Sequence, residues 1–318
     1  MRPPPLLLCF ALLLLLPAWP PRATAQAPVP APPADSYSLT LPASALAPEE
    51  ADRGSIQFIG TATVLIRYQG LTILTDPNFL HRGELAHLGY GLSTRRLTEP
   101  AIAFEALPPI DLVLLSHMHE DHFDLLVQRK LRRDVPIVTT REASERLGQL
   151  GFTQRYPLSR WDSLTVRKGA ATLRITALPA RHGSRAVALL LPPVMGSMLD
   201  FSPGPPGPAY RIYISGDTLV YADIADIPKR FPAVDLALLH LGGTRLLGMV
   251  KVSMDGKDGV RMMQRIAPAR AIPVHYDDYD VFKSPLADFQ GAVRAAGLEQ
   301  KVIYLRGGDS YAFFPVRR

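Results

Sequence analysis

Short apolar segments alternate with polar, glycine-rich and proline-rich segments along most of the chain. Apolar runs of about four to eight residues are typical of buried strands, whereas longer runs with helical spacing are typical of amphipathic helices. The predicted strands lie at 56–59, 64–68, 71–74, 110–115, 136–139, 163–167, 171–178, 186–191, 210–214, 234–240, 271–275, 301–305 and 311–314. The predicted helices begin after residue 124 and cover 141–150, 256–266 and 285–296. The chain contains two runs of predicted strands, each followed by helices. This order predicts a single α/β (α+β) domain with sheets packed face to face.

Two segments lack a periodic pattern. Residues 78–100 are long for a simple connection, so we interpret them as a flap over a functional site. They carry His81 and His87, which we interpret as solvated loop residues because neither lies in a metal-ligand pattern. Residues 192–208 are rich in Gly and Pro and predict a surface insertion.

The start of the chain has the features of a secretory signal peptide. Arg2 precedes a leucine-rich run, and Ala23-Thr24-Ala25 offers a cleavage site before Gln26. A membrane anchor is the alternative, but the run is shorter than the ~20 apolar residues that span a bilayer. We therefore predict a signal peptide at 1–25, a Pro/Ala-rich linker at 26–54 and a folded domain at 55–318. The protein is expected to be exported, periplasmic or secreted, without a stable membrane anchor.

Charge and cysteine content narrow the function classes. The formal net charge is +6 with no basic block, which gives little support to nucleic-acid binding. Cys9, inside the predicted signal peptide, is the only cysteine. The exported chain would therefore have no disulfide and no thiolate ligand, and nitrogen and oxygen atoms would hold any metal. The oligomeric state stays open.

A cluster of metal-ligand residue types follows the predicted strand at 110–115. The sequence Ser-His-Met-His-Glu-Asp-His at 116–122 offers imidazole and carboxylate groups, which suit zinc. In an extended loop His117 and His119 point the same way and reach one metal, whereas Asp121 and His122 face a neighbouring position. A histidine-rich surface loop is the alternative, but this spacing directly after an apolar strand is rare by chance. The spacing therefore predicts a two-metal site.

Other candidates lie at the ends of further predicted strands. His182, Asp217 and His275 each follow an apolar strand, so each is expected to point into a cleft at the strand ends. His240 also ends a strand, and three roles stay open for it: support of a ligand, substrate contact, or a buried structural histidine. Tyr276 and Asp278 are further candidates for substrate contact or ligand support.

The motif at 116–122 resembles the signature of the metallo-β-lactamase-fold hydrolases, Ser-His-x-His-x-Asp-His after a strand. The resemblance covers about residues 55–314. The segments at 60–66, 70–77 and 107–111 are similar to the branch of ascorbate-6-phosphate lactonase-like and N-acyl-phosphatidylethanolamine phospholipase D-like enzymes. The resemblance implies a four-layered αβ/βα sandwich. It also implies that one zinc is held by His117, His119 and His182 and a second by Asp121, His122 and His275, with Asp217 bridging.

These features predict an exported dinuclear zinc hydrolase. Two zinc ions about 3.5–4 Å apart would lower the pKa of a bridging water and supply hydroxide, with Asp121 as the catalytic residue that orients it. The expected substrate is a small phosphodiester, lactone or related ester, and Mn²⁺ and Fe²⁺ are alternatives to zinc. The alternative functions are a β-lactamase and a non-catalytic metal-binding protein on the same fold. The complete ligand set disfavours the second.

Overall fold

The computed structural model describes residues 37–43, 53–202, 210–246 and 248–314. The predicted signal peptide at 1–25 lies outside these residues. The strands, in chain order, are β1 (Tyr37–Leu41), β2 (Gly54–Gly60), β3 (Thr63–Tyr68), β4 (Leu71–Thr75), β5 (Leu85–Gly89), β6 (Leu92–Arg95), β7 (Leu112–Leu114), β8 (Ile137–Thr139), β9 (Arg155–Pro157), β10 (Ser163–Lys168), β11 (Ala171–Leu178), β12 (Gly196–Ser202), β13 (Tyr210–Ile214), β14 (Leu236–His240), β15 (Arg245–Leu246), β16 (Val250–Lys251), β17 (Arg270–Val274) and β18 (Ser310–Phe313). The α-helices are α1 (Leu125–Lys130), α2 (Arg141–Gln149), α3 (Asp226–Arg230), α4 (Gly256–Ile266) and α5 (Leu286–Ala295).

Two seven-stranded sheets form the centre of the fold. The first has the order β18-β2-β3-β4-β7-β8-β9, and the second has the order β1-β10-β11-β12-β13-β14-β17. In the first sheet β4, β7, β8 and β9 pair in parallel, and in the second β13, β14 and β17 do so. Since parallel strands end at the same edge, residues that follow these strands are brought together.

The sheets pack face to face because successive side chains of a strand point to opposite faces. On β3, Val64 and Ile66 belong to a core cluster shared with the second sheet, for example with Leu173. Leu65 lies on the other face, in a cluster with Val127 of α1 and other residues of the helical layer. The predicted mixed α/β fold with two large sheets packed face to face is confirmed.

The predicted strand at 186–191 is wrong. Residues Val187–Leu189 form a 3₁₀ helix, and Leu189 and Leu190 are 85% and 59% exposed. The run is apolar and short enough for a strand, but its side chains do not enter the core. They line a cavity described below.

The predicted surface insertion at 192–208 is also wrong in its first half. Strand β12 lies inside it and pairs with both β11 and β13 in the second sheet. Met198, Leu199 and Phe201 are fully buried there. Pro192 and Pro193 lie in the loop that enters this strand. Residues 203–209 lie outside the described part of the chain.

Three smaller differences concern segments predicted to be irregular or extended. The predicted linker contains β1, which pairs in parallel with β10. The segment at 301–305 is not a strand: a 3₁₀ helix covers Glu299–Lys301, and Val302 forms an isolated bridge with Ala271. The predicted flap contains the two-stranded hairpin β5–β6. No helix among the described residues has the length and apolar character needed to cross a membrane.

Candidate metal centre

The predicted ligands meet at the carboxyl ends of strands from both sheets. The motif at 116–122 follows β7, and the other candidates follow β11, β13 and β17. All seven predicted ligands are buried: His117, His119, Asp121, His122, His182, Asp217 and His275. His122 and His275 are 153 positions apart in the chain, but their Nε2 atoms lie 3.2 Å apart.

The first cluster consists of His117, His119 and His182, with one ligand atom of each within 4.8 Å of the others. The Nε2 atom of His117 lies 2.9 Å from the Nδ1 atom of His119. His182 donates from Nδ1 to the carbonyl oxygen of Val252 at 2.8 Å, which leaves its Nε2 atom for a metal. This is the first ligand set implied by the family resemblance.

The second cluster consists of Asp121, His122 and His275, again within 4.8 Å. The Oδ2 atom of Asp121 lies 3.4 Å from Nε2 of His275. His275 donates from Nδ1 to the carbonyl oxygen of Leu241 at 3.3 Å, so its Nε2 atom faces the cluster. Ligands of one tetrahedral zinc, each about 2.0–2.1 Å from the ion, lie about 3.3 Å apart, which matches this spacing.

Asp217 lies between the two clusters. Its Oδ1 atom is 3.6 Å from Nε2 of His122 in the second cluster, and its Oδ2 atom is 3.9 Å from Nε2 of His182 in the first. It also forms a further ligand group with His117 and His122. One carboxylate thus reaches both sets, as a bridging ligand would.

The first cluster is held in the neutral state that metal ligation requires. Burial lowers the pKa of His117 well below its usual value, and burial lowers the pKa of His119 to about 3. Neighbouring histidines act in the same direction on both rings, because two close imidazolium ions repel each other. Neutral imidazole is the form that donates a lone pair to a metal.

The second cluster favours a positive charge. Burial alone would lower the pKa of His122, but Asp121, Asp217 and Asp76 together raise it well above its usual value. Burial also acts to lower the pKa of His275, but Asp217 and Asp121 outweigh this effect and raise the pKa above its usual value. Buried carboxylates that hold a positive charge here are also suited to a divalent cation.

The donor set fits zinc. Within the described part of the chain, three buried side-chain atoms of the predicted ligands have no hydrogen-bond partner: Nε2 of His119, Oδ1 of Asp121 and Oδ1 of Asp217. Buried polar atoms are rarely left unpaired in a protein without a metal, water or substrate to satisfy them. The set contains only imidazole and carboxylate groups, which suits zinc, and also manganese or iron.

Asp76 is a site residue that the sequence reasoning missed. It follows β4, and its Oδ1 atom accepts a hydrogen bond from the backbone of Ser116 at 2.7 Å. Its Oδ2 atom lies 3.3 Å from both Nδ1 of His122 and Nε2 of His240. Burial acts to raise the pKa of Asp76, but these two histidines outweigh it and hold the pKa at about 2. A carboxylate on the far nitrogen of a metal-binding histidine fixes its tautomer and orientation.

His240 acts through Asp76 and not as a member of either main cluster. Its backbone donates to Oγ of Ser215 at 2.9 Å, its Nε2 atom faces Asp76, and its ring stacks parallel to His122. Asp76, His122 and His240 also form a third group of possible ligand atoms within 4.8 Å. Of the roles that the sequence left open, this geometry favours support of a ligand.

Tyr276 and Asp278 lie outside the ligand clusters that the described residues form. The hydroxyl of Tyr276 donates to the carbonyl oxygen of Leu305 at 3.2 Å. Asp278 accepts from the backbone of Thr61 at 2.7 Å, and the carbonyl of Thr61 in turn accepts from the backbone of His275. Asp278 thus braces the chain at His275, whose left-handed backbone (φ +62°) is uncommon for a residue with a side chain.

Two cavities open over the clusters. The inner chamber, of about 140 Å³, has His119, Asp121, His182 and Asp217 among its lining residues. The outer groove, of about 680 Å³, runs past His119 between α2 and the exposed loop at 187–193. Leu88, Tyr90, His119 and Leu191 line both cavities, so the groove leads to the chamber.

The hairpin β5–β6 covers this entrance, as expected for a flap. His87 is tied to the metal motif, because its backbone and its Nδ1 atom both contact Oε2 of Glu120, at 2.7 and 2.8 Å. The hydroxyl of Tyr90 donates to the carbonyl oxygen of Leu190 at 2.5 Å across the entrance. His81 instead lies against Glu99 and does not line either cavity.

Comparison with known proteins identifies the family. Residues 72–276, more than half of the chain, match the beta-lactamase superfamily domain. The chain belongs to this superfamily. The matched range runs from Thr72 in β4 to Tyr276 and includes all seven predicted ligands. The resemblance seen in the sequence is thereby confirmed at the level of the metallo-β-lactamase fold.

Similar proteins include members with hydrolase names. A UPF0173 metal-dependent hydrolase from Archaeoglobus fulgidus is 28% identical over 64% of this chain and 82% of the relative. One from Carboxydothermus hydrogenoformans is 27% identical over 78% of this chain and 96% of the relative. The fold is similar to that of isothiocyanate hydrolase from Delia radicum gut bacteria, with a TM-score of 0.68 and 21% identity over 82% of this chain and all of that one.

The contacts of Asp76 lead to a prediction for metal affinity. Replacing Asp76 with Asn would remove the carboxylate that faces Nδ1 of His122, and we expect zinc affinity to fall by about 10–100-fold. Competition with a chromophoric zinc chelator measures this. Asp111→Asn is a matched control, because Asp111 pairs with Lys168 at 2.7 Å outside the ligand clusters. Equal zinc affinity for Asp76→Asn and wild type would show that the carboxylate does not support His122.

Proposed function

We propose that the protein is an exported dinuclear zinc hydrolase that acts on a small ester, lactone or phosphodiester. The observation that carries this proposal is a pair of buried nitrogen and oxygen clusters, joined by Asp217, at the floor of a cleft. The metal-dependent hydrolase names of the relatives from two organisms support the same reaction class.

The residues divide the work in the following way. Two bound zinc ions would activate a water molecule and polarise the scissile bond. The Oδ2 atom of Asp121 faces His275, whereas its Oδ1 atom has no hydrogen-bond partner among the described residues. Asp121 lines the inner chamber, so Oδ1 can accept a hydrogen bond from the attacking water and orient it. The hairpin β5–β6, tied down through Glu120 and Tyr90, restricts water around the reacting group.

A substrate panel with metal removal tests the proposal. Purified protein would be stripped with a chelator, restored with zinc, and assayed on a carboxylic ester, a lactone, a phosphodiester and a β-lactam. We expect hydrolysis of at least one of the first three, lost on stripping and recovered with zinc. Hydrolysis of the β-lactam alone would favour a β-lactamase. A zinc-loaded protein that hydrolyses none of the four would favour a metal-binding protein without this activity.

Export is a separate prediction. The leucine-rich run and Ala23-Thr24-Ala25 imply that the first 25 residues are removed. The intact mass of protein from its own host should therefore correspond to a chain that starts at Gln26. A full-length product in the cytosol would show that this segment is not a cleaved signal.

A further inference from the structure

The walls of the inner chamber are largely apolar, and the leucines among them lie outside the core clusters. The walls are supplied mainly by three segments around the entrance: the hairpin β5–β6, the loop at 187–193 and the segment around the hairpin β15–β16. The apolar lining residues include Leu88, Leu92, Leu191, Leu246, Val252 and Val281. Leucines on loops over a metal-ligand cluster contribute little to core packing. We therefore expect these side chains to contact a substrate.

The polar groups of the walls are few and mostly uncharged. Beside the metal-ligand residues, the polar residues that line the chamber are Tyr90, Ser93, Thr244 and Arg245. Arg245 is exposed and donates to the carbonyl oxygen of Met249 at 3.3 Å, within its own hairpin. The hydroxyl of Thr244 is buried and has no hydrogen-bond partner among the described residues. An anionic group is usually clamped by several cationic side chains, and these walls do not supply them.

The size of the chamber limits what enters it. Its volume of about 140 Å³ is well below the ~300–1,000 Å³ of pockets that enclose drug-sized ligands. A short alkyl or small ring next to the reacting group would fill it, whereas the outer groove is open to a larger leaving group.

We propose that the inner chamber selects an uncharged ester or lactone whose reacting carbonyl carries a compact apolar substituent. The inference rests on the proposed function, hydrolysis at the two ligand clusters. In the reaction, the oxygen of one water bonds to the carbonyl carbon, the bond from that carbon to the alcohol oxygen breaks, and the alcohol leaves with a proton. The walls hold the substituent while Asp121 and the clusters lie at the reacting carbonyl.

The test uses zinc-loaded wild-type protein and para-nitrophenyl esters of acetate, butyrate and hexanoate, with bis(para-nitrophenyl) phosphate for comparison. Each buried methylene contributes about four-fold, so kcat/KM should rise about sixteen-fold from acetate to butyrate, which adds two methylenes. It should rise no further with hexanoate, because the chamber is full. The phosphodiester should be the poorest of the four probes.

A substitution at Leu246 tests the chamber in a way that can be distinguished from misfolding. Leu246 is half-buried on a two-residue strand, outside the core clusters. Leu246→Ala enlarges the chamber, so the best substrate should shift from butyrate to hexanoate, a gain that misfolding cannot produce. Leu246→Gln should remove the preference for butyrate over acetate. Val250→Gln is the matched control, since Val250 pairs with Leu246 across the hairpin but does not line the chamber.

The outcomes separate this inference from the function on which it rests. Ester hydrolysis that is independent of acyl length, or a length profile unchanged in both Leu246 variants, would overturn the inference and leave the hydrolase proposal intact. Faster hydrolysis of the phosphodiester than of every ester would also overturn it. Failure of zinc-loaded protein to hydrolyse any probe of the wider panel would overturn both.

Discussion

Replacing Asp121 with Asn is expected to lower kcat by about two orders of magnitude or more, with KM little changed. The side chain keeps its size and its place at the inner chamber, but it loses the negative charge and one acceptor for a proton of the attacking water. The Oδ1 atom of Asp121 is free to accept this bond in the native protein, because it has no partner among the described residues. Steady-state kinetics on the best ester of the panel measures both constants.

His87→Ala is the contrasting variant. His87 lines the outer groove and holds Glu120 of the metal motif, but it lies outside the ligand clusters formed by the described residues. Its loss should therefore change KM and substrate preference more than kcat. If Asp121→Asn retains normal kcat while His87→Ala abolishes turnover, the assignment of the chemistry to the metal motif is wrong.

Asp217→Ala should reduce bound zinc from two ions to at most one per chain and lower kcat by about three orders of magnitude. Asp217 contacts His122 and His275 of one cluster and His182 of the other, so its removal weakens both sites at once. A ligand at the edge of one cluster would not have this effect. Zinc content and kcat are measured on the same preparation.

Asp223→Ala is the control for this variant, because Asp223 lies six positions later and forms an exposed ion pair with Arg160. It should keep both zinc ions and full activity, since exposed ion pairs contribute little to stability. Two zinc ions in the Asp217→Ala protein would show that this carboxylate is not shared by the clusters.

Regular periodicity made much of the fold predictable. The predicted bounds of β11 and α4 agree with the structure, 171–178 and 256–266, because each has a long pattern that fits only one type of element. Asp255 marks the start of α4 by accepting a hydrogen bond from the backbone of Asp258, a capping role that its residue type favours.

Two segments whose apolar residues follow no regular pattern were predicted incorrectly. The run at 186–191 reads as a strand, yet Leu189 and Leu190 are exposed at the outer groove. The adjacent strand β12 lies in a part of the sequence that is rich in proline and glycine, which predicts irregular structure. A sequence does not distinguish a leucine that packs in a core from one that faces a cleft, because both are apolar.

The clustering of the seven candidate ligands could be predicted because each follows a strand and the motif at 116–122 has strict spacing. Asp76 could not, since a single aspartate carries no ligand pattern and its contact with His240 spans 164 positions. The sequence Thr75-Asp76-Pro77 at the end of β4 was the available signal. Its importance appears only when β4 and β7 pair and bring Asp76 to the backbone of Ser116.

The central claim is that the two clusters hold two zinc ions. Diffraction from crystals of the zinc-loaded protein, with anomalous differences measured at the zinc absorption edge, tests it directly. Two anomalous peaks per chain are expected, one among His117, His119 and His182 and one among Asp121, His122 and His275, with loss of the first peak and of activity in His117→Ala. Absence of both peaks, or a His117→Ala protein that retains both peaks and full activity, would contradict it.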